Sequence, residues 1–418
     1  ATKAFTAAAA AILVDEGKLD WDTPIIEYMP DFQLSDPWVT AQISLRDLLS
    51  HRSGLPRGIV MRLRSGGDLE SYLARYRYAK FEESFRSRYL YSNTNFDWAG
   101  KVVEAVSGEH WGEFMSKRIF APLGMAFSST NLTALERVEN LATPHALLKG
   151  ALQTVPRLDI GDDPAGSINA NALDMAEWLR MLLNNGNSAG AQVLSPAAIY
   201  EMHAPQTAVP HPEETELAIF KMLNPPINFW TYGFGWWVQD YHHAKLVWHG
   251  GQIDGFSSMV AMLPDENFGF VVLTNIHETF GHGVLMLTLL DAYFGKSDRD
   301  WNAVSLDVAQ KYGAQQAERA KKVQSARIKG TLPTFPLSEY AGIFSDPWQG
   351  EVEVFVQDEK LSLRYEKTLA PLSHWQDDTF RLTWANPLYP PAFVTFFLDS
   401  VDGISQVSID GLTTFKKS

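Results

Sequence analysis

A chain of 418 residues with 49 Asp and Glu against 35 Lys and Arg is too long for one compact core, and its net charge of −14 argues against nucleic acid as a partner. It contains no cysteine, which excludes disulfides, thiolate metal sites and a Cys nucleophile. With 45% hydrophobic and 20% charged residues the composition is that of an ordinary globular protein, and no run of eighteen apolar residues offers a membrane span.

The first element is a helix over the first seventeen residues, Ala1 to Gly17. Ala7 to Ala11, Ile12, Leu13 and Val14 follow one another without Gly or Pro, and Gly17 stands where a left-handed C-cap belongs. So much alanine implies a buried helix with close neighbours. A signal peptide would share the lysine and the apolar run, but Asp15-Glu16 follows at once and no small-x-small cleavage site appears. Prolines 24 and 30 confine the next stretch to loop. Ser44 to His51 reads as a short helix capped by Ser44 and stopped by Ser53-Gly54-Leu55-Pro56, with His51 serving the helix end.

Helical periodicity returns at 68 to 80 and 94 to 120, the latter with Trp98, Val102, Val103 and Val106 on one face. Arg62, Arg64, Arg75, Arg77, Arg86 and Arg88 form the densest basic stretch, but Asp68, Glu70, Glu82 and Glu83 interleave with them as on a solvated surface. A further helix spans 174 to 184, and the proline-marked, acidic stretch from Pro205 to Pro226 reads as a surface excursion over a cleft.

From Tyr232 the period changes. Residues 233 to 238, 245 to 249, 256 to 262 and 268 to 274 are strand-like runs joined by turn residues, so an antiparallel sheet is expected, with a helix over 280 to 294 packed on it. His242-His243 has no third ligand at metal spacing and reads as a turn between strands. Residues 302 to 328 are polar and helix-prone, and a Pro/Gly break at 330 to 336 follows. Beyond it, runs at 340 to 344, 352 to 356, 361 to 365, 380 to 384 and 393 to 398, plus one or two in 404 to 417, announce a small β-barrel or sandwich. His374-Trp375 reads as packing within it. The expected domains are 1–300, a helical linker 301–335, and a β-domain 336–418.

Three short motifs carry chemistry: Lys3 in Ala1-Thr2-Lys3, Tyr91-Ser92-Asn93, and His249-Gly250-Gly251. Each alone is weak. In this order, on a helix start, a loop before a helix and a strand, the chain resembles the serine β-lactamase and penicillin-binding-protein superfamily, in the class C, esterase and D-aminopeptidase form. Leu48 to Leu55, Pro164-Ala165-Gly166-Ser167, Tyr232 to Trp236 and Gly255 to Ser258 support the likeness, which covers about residues 1 to 295. The last ninety residues look like the small β-domain often appended to such hydrolases.

The resemblance implies an α+β fold, an antiparallel sheet with helices on both faces plus a helical subdomain, followed by a small all-β barrel. It implies a serine hydrolase that forms an acyl-enzyme on a small amide or ester, be it a D-amino-acid peptide, a carboxylic ester or a β-lactam. Lys3 would be the base, since a lysine one turn along the helix can take the serine proton, and Tyr91 the second shuttle that protonates the leaving group. Asn93 would hydrogen-bond the substrate carbonyl, Gly250 and Gly251 would let substrate lie along this strand, taken as an edge strand, and the Gln252 N–H would be an oxyanion donor. His249 stands where many relatives carry lysine, which removes a permanent cation and weakens the case for strict β-lactamase activity. The likeness also places the nucleophilic serine directly ahead of Ala1, so the expectation is that this chain starts inside its domain and is inactive as it stands. No cofactor and no metal are implied, the partner is a small-molecule or peptide substrate, and the compartment implied is periplasmic or extracellular. A non-catalytic relative that binds peptidoglycan-like peptides or penicillin is the alternative, and oligomeric state is not legible.

Overall fold

The computed structural model describes residues 1–58, 66–210, 228–277, 280–296, 298–399 and 403–418. Arg62, Arg64 and the expected excursion from residue 211 to 226 lie outside them. The chain forms two compact units, Ala1–Arg57 with Lys80–Tyr312, and Gly58–Ala79 with Gly313–Ser418.

In the first unit helix α1 (Thr2–Asp15) is buried from Thr2 to Leu13. Small side chains let neighbours approach closely, and Phe5 stacks on Trp178 with ring centroids 3.9 Å apart. Gly17, at φ +69°, ends the helix, its N–H donating to Val14 O and that of Lys18 to Leu13 O, each at 2.9 Å. Helix α2 (Leu45–Leu49) begins on a capping box between Ser44 and Asp47. Burial pushes the Asp47 carboxyl up, but hydrogen bonds from Arg86 and Arg52 and from the Ser44 N–H outweigh it and hold the group below its ordinary range. That ion cluster fixes the loop after α2, where His51 takes a positive φ of 57°.

Helix α3 (Asn93–Ser107) stops short of the expected 120, because Gly108 turns left-handed at φ +72° and helix α4 (Trp111–Met115) starts anew. Helix α5 (Ala172–Leu183) is capped by Asn171, whose side chain accepts from the Asp174 N–H. The sheet is an antiparallel meander in the order β1 (Thr207–Ala208), β2 (Trp230–Tyr232), β3 (Trp237–Tyr241), β4 (Ala244–Ile253), β5 (Phe256–Leu263) and β6 (Phe268–Thr274). The strand expected at 233 to 238 is instead a tight turn between β2 and β3. The Gly233 N–H donates to Trp236 O at 2.8 Å, and Gly235 adopts φ +77° against the backbone of Lys3. Helices cover both faces: Leu183 of α5 lies against Gly269, and Tyr293 of helix α6 (Gly281–Tyr293) stacks on Phe268 at 4.4 Å. Strand β6 ends the sheet, paired among the described residues with β5 alone.

Helix α7 (Trp301–Ser325) begins in the first unit and ends in the second. The second unit is a closed eight-stranded barrel: β7 (Gly342–Asp346), β8 (Gly350–Gln357), β9 (Lys360–Tyr365), β10 (Thr368–Gln376), β11 (Thr379–Leu382), β12 (Ala392–Asp399), β13 (Gly403–Ile409) and β14 (Thr414–Lys417). Strand β10 is absent from the sequence reading, since Pro371 and a bulge between His374 and Gln376 mask its alternation. The barrel is filled by alternate side chains such as Val352, Val354, Leu361, Leu363, Tyr365 and Phe396. It also holds residues 66 to 79, with helix Leu69–Ala74: Arg75 donates to Glu366 at 2.8 Å, and Tyr76 meets Trp348 edge to face.

Limited proteolysis is expected to cut between about 325 and 336, where the chain is largely exposed and without regular structure. The two pieces should stay associated until denaturant is added, because residues 66 to 79 belong covalently to one and pack within the other. One resistant fragment spanning the region would contradict this.

Candidate active site

The first turn of α1 is the base of the site. Lys3 is 4% exposed, and its Nζ donates to Asn93 Oδ1 at 2.7 Å and to the Ala165 carbonyl at 3.0 Å. The carbonyl is delivered by a tight loop. Asp163 Oδ1 accepts from the Ala165 N–H at 2.7 Å, Ser167 Oγ donates to Asp163 O at 2.9 Å, and Thr6 Oγ1 donates to Pro164 O at 2.7 Å. Gly100 makes room for this loop, as a Cβ there would meet Pro164 Cγ at 2.2 Å. The Lys3 Nζ position is therefore set by a side chain 90 residues away and a carbonyl 162 residues away.

Tyr91 lies at the end of the loop before α3, half-buried. Lys3 Nζ is 5.0 Å from its ring centroid, and Trp237 lies parallel to that ring at 6.5 Å. The Tyr91 hydroxyl makes no hydrogen bond among the described residues. Under it sits His51, with ring centroids 4.4 Å apart. The positive φ turns this side chain into the core rather than toward the α2 carbonyls, so the helix-end role expected for it is corrected. His51 Nδ1 accepts from the Ser92 N–H at 3.3 Å and lies 3.2 Å from Asn95 Nδ2, which braces the Tyr91-Ser92-Asn93 loop from below. Burial first, and then the charges of Lys3 and Arg57, hold His51 well below the ordinary histidine range.

The strand carrying His249, Gly250, Gly251 and Gln252 is not an edge strand, yet it has an open side. Strand β4 is interior to the sheet, but its ladder with β3 ends at Trp237 opposite Trp248, while on the other side it continues opposite β5 to Ile253. Residues 249 to 253 thus overhang β3. A Cβ at Gly251 would lie 2.5 Å from Ser258 Oγ and 3.3 Å from the Ala1 nitrogen, so the glycine lets the first residue of α1 approach the strand. Gln252 pairs with Ser257 in the ladder, and its exposed side-chain amide lies 3.5 Å from His277.

His249 is 4% exposed, and both of its ring nitrogens are engaged. Nε2 lies 3.0 Å from the Tyr232 hydroxyl and Nδ1 lies 2.5 Å from the Gly250 carbonyl, which assigns the proton to Nδ1 and makes the tyrosine a donor to Nε2. Burial first, and then the charge of Lys3, hold the imidazole well below its ordinary value, and Tyr232 is raised well above its own by burial and by Tyr91 and Tyr89. At neutral pH the imidazole is uncharged.

The structure thus brings Lys3, Tyr91, Asn93 and the 249–252 strand together around the start of α1. Three further participants escaped the sequence reading: the Ala165 carbonyl, the His51 brace and the Tyr232 hydroxyl on His249. Their stretches carry the supporting similarity, but no spacing rule ties them to Lys3. Among the described residues no group of three His, Asp or Glu is placed to hold a metal ion, and none of the helices is long and apolar enough to cross a membrane. His242 donates to Asp291 at 3.0 Å from the turn between β3 and β4, so that turn is tied to α6 rather than merely solvated.

Comparison with known proteins identifies the family and the fold. Over 388 residues the chain is 29% identical to the unguisins hydrolase of Aspergillus campestris, covering 87% of this chain and 69% of that one. Its fold is like that of an octameric penicillin-binding protein homologue from Pyrococcus abyssi, at 21% identity and a TM-score of 0.59, covering 99% of this chain and 86% of that one. It is also like that of a D-stereospecific amidohydrolase from Streptomyces, at 23% identity and a TM-score of 0.56, covering 71% and 85%. Residues 326–417 match a domain of unknown function, DUF3471. Residues 1–292 match the Beta-lactamase family over most of the chain, and the protein belongs to that family of hydrolytic folds.

Proposed function

We propose that the protein is a metal-free serine hydrolase that cleaves a small amide or ester through an acyl-enzyme, with the nucleophilic serine joined directly ahead of Ala1. One observation carries this reading. The Lys3 amine, the Tyr91 ring, Asn93 and the open side of β4 converge on the backbone at Ala1, where the hydroxyl of a preceding residue would be one helical turn from Lys3. Lys3 would take the serine proton and Tyr91 would return one to the leaving group. Asn93 would bind the acyl carbonyl side, and the N–H of Gln252 together with that of the serine would stabilise the oxyanion. The fold likeness to the D-stereospecific amidohydrolase from Streptomyces favours D-amino-acid amides and peptides as substrates, with esters and β-lactams as chemical analogues. The reading places the protein in the periplasm or outside the cell, where such peptides are met.

On this reading residues 1 to 418 alone should not turn over a chromogenic ester or bind a labelled penicillin covalently. Losing the nucleophile and one oxyanion donor costs orders of magnitude each. Extending the chain upstream through a serine and the strand residues that the family places before it should restore an acyl adduct detectable by mass spectrometry. Turnover by the 418-residue chain that Lys3→Ala abolishes would show that another residue is the nucleophile. An extended chain that binds ligand yet never acylates would favour a binding protein.

A further inference from the structure

The cleft has a cation that its motifs do not account for. Arg57 is exposed, and its guanidinium carbon lies 5.5 Å from the centroid of the Tyr91 ring, so that both it and the Lys3 amine approach the same aromatic group. Lys3 is committed to Asn93 and to the Ala165 carbonyl. Arg57 forms no ion pair and donates no hydrogen bond among the described residues, although the acidic side chains of the first unit pair readily with its other arginines, as Asp47 does with Arg52 and Arg86 and Asp22 with Arg46.

The backbone that carries Arg57 is fastened to the site. Ser92 Oγ, inside the Tyr91-Ser92-Asn93 motif, donates to the Pro56 carbonyl at 3.1 Å. Ser53 Oγ donates to Asn95 Oδ1 at 2.8 Å and accepts from the Leu55 N–H at 3.2 Å. Between them Gly54, at φ +76°, lies so close to the Glu83 carbonyl that a Cβ would meet its oxygen at 2.2 Å. The arginine is thus held beside Tyr91 by the same hydrogen bonds that hold the motif.

The strand opposite does not offer a charge. His249 is neutral, with one nitrogen on the Tyr232 hydroxyl and the other on the Gly250 carbonyl, so it has no N–H left for an anion. We propose that Arg57 is the anion anchor of the cleft and that it selects substrates carrying a carboxylate on the group that departs from the side of Tyr91. A guanidinium takes a carboxylate through two parallel hydrogen bonds, and its flat face can rest on an aromatic ring at the same time. This deepens the hydrolase reading and rests on it for the words substrate and leaving group; the binding site itself does not depend on turnover.

Binding to the 418-residue chain tests it without any need for a nucleophile. Titration calorimetry at low salt would compare N-acetyl-D-alanyl-D-alanine with its C-terminal amide. The carboxylate form should bind roughly ten- to a hundredfold more tightly, the range for a hydrogen bond to a charged group. Arg57→Gln should bring the two ligands to parity, Arg57→Lys should retain part of the preference, and raising the salt should shrink it. Equal affinity for the two ligands, failure to bind either, or a preference that survives in Arg57→Gln overturns the assignment. Should the serine-extended protein fail to acylate while the Arg57-dependent preference holds, the hydrolase reading falls and the anion site stands.

Discussion

In the serine-bearing protein, Tyr91→Phe should lower kcat by about two to four powers of ten while leaving the melting temperature within a degree or two, the range expected when a positioned acid or base is lost. The fold should not notice the change. The ring is held by Trp237, parallel at 6.5 Å, and by His51 at 4.4 Å, and phenylalanine keeps both contacts. The hydroxyl makes no hydrogen bond among the described residues, so removing it leaves no buried partner unsatisfied. Lys3 keeps its two acceptors, Asn93 Oδ1 and Ala165 O, whether or not the phenol is present. Single-turnover kinetics should show the deficit in acylation or leaving-group departure rather than in substrate binding. A loss smaller than tenfold would remove Tyr91 from the proton path and leave Lys3 to act alone.

Unfolding experiments at decreasing pH should show stability falling steeply below about pH 6.5, well before the carboxylates titrate. His51, His203 and His249 are 0%, 3% and 4% exposed, and all three are held below the ordinary histidine range, His203 down to about 3. Burial is the largest cause in each case. For His203, whose Nε2 has no hydrogen-bond partner among the described residues and whose ring meets Trp236 edge-on, the charge of Lys245 adds to it. The sign follows from proton counting. Below the unfolded value the unfolded chain binds a proton at each site and the folded chain does not, so these groups stabilise the fold above about pH 6.5 and that contribution is lost as pH falls. Each contributes roughly 1.4 kcal/mol per pH unit, so three approach about 4 kcal/mol per unit. Asp47, held low in the folded state, acts in the same direction only below about pH 4. Urea melts at pH 7.5, 6.5 and 5.5 give the slope directly, and His203→Leu should reduce it by one proton. A flat profile across that range would mean that these imidazoles are already charged in the folded protein.

The sequence alone determined the local elements and the order of the chemistry. Helix α1 is legible because an unbroken run of alanine and leucine followed by Gly17 has one favourable backbone course. Strands β5 and β6 are legible because apolar side chains in short runs bounded by Pro264 and Asn267 fit few other structures. The motifs at Lys3, Tyr91 and His249 were legible because their chemistry needs particular side chains in a particular order. What the tertiary structure decided is everything that depends on backbone atoms or on long-range approach. The Ala165 carbonyl has no side-chain signature, and only the loop built by Asp163 and Ser167 aims it at Lys3. His51 turned inward because the Asp47 ion cluster fixes its loop in a positive-φ turn. His249 became a neutral, fully hydrogen-bonded group because Tyr232 reaches it from β2, and Arg57 became the available cation because it is held beside the Tyr91 ring and forms no ion pair among the described residues. The barrel's hold on residues 66 to 79 belongs with these. Packing joins segments nearly three hundred residues apart, and no local period records that.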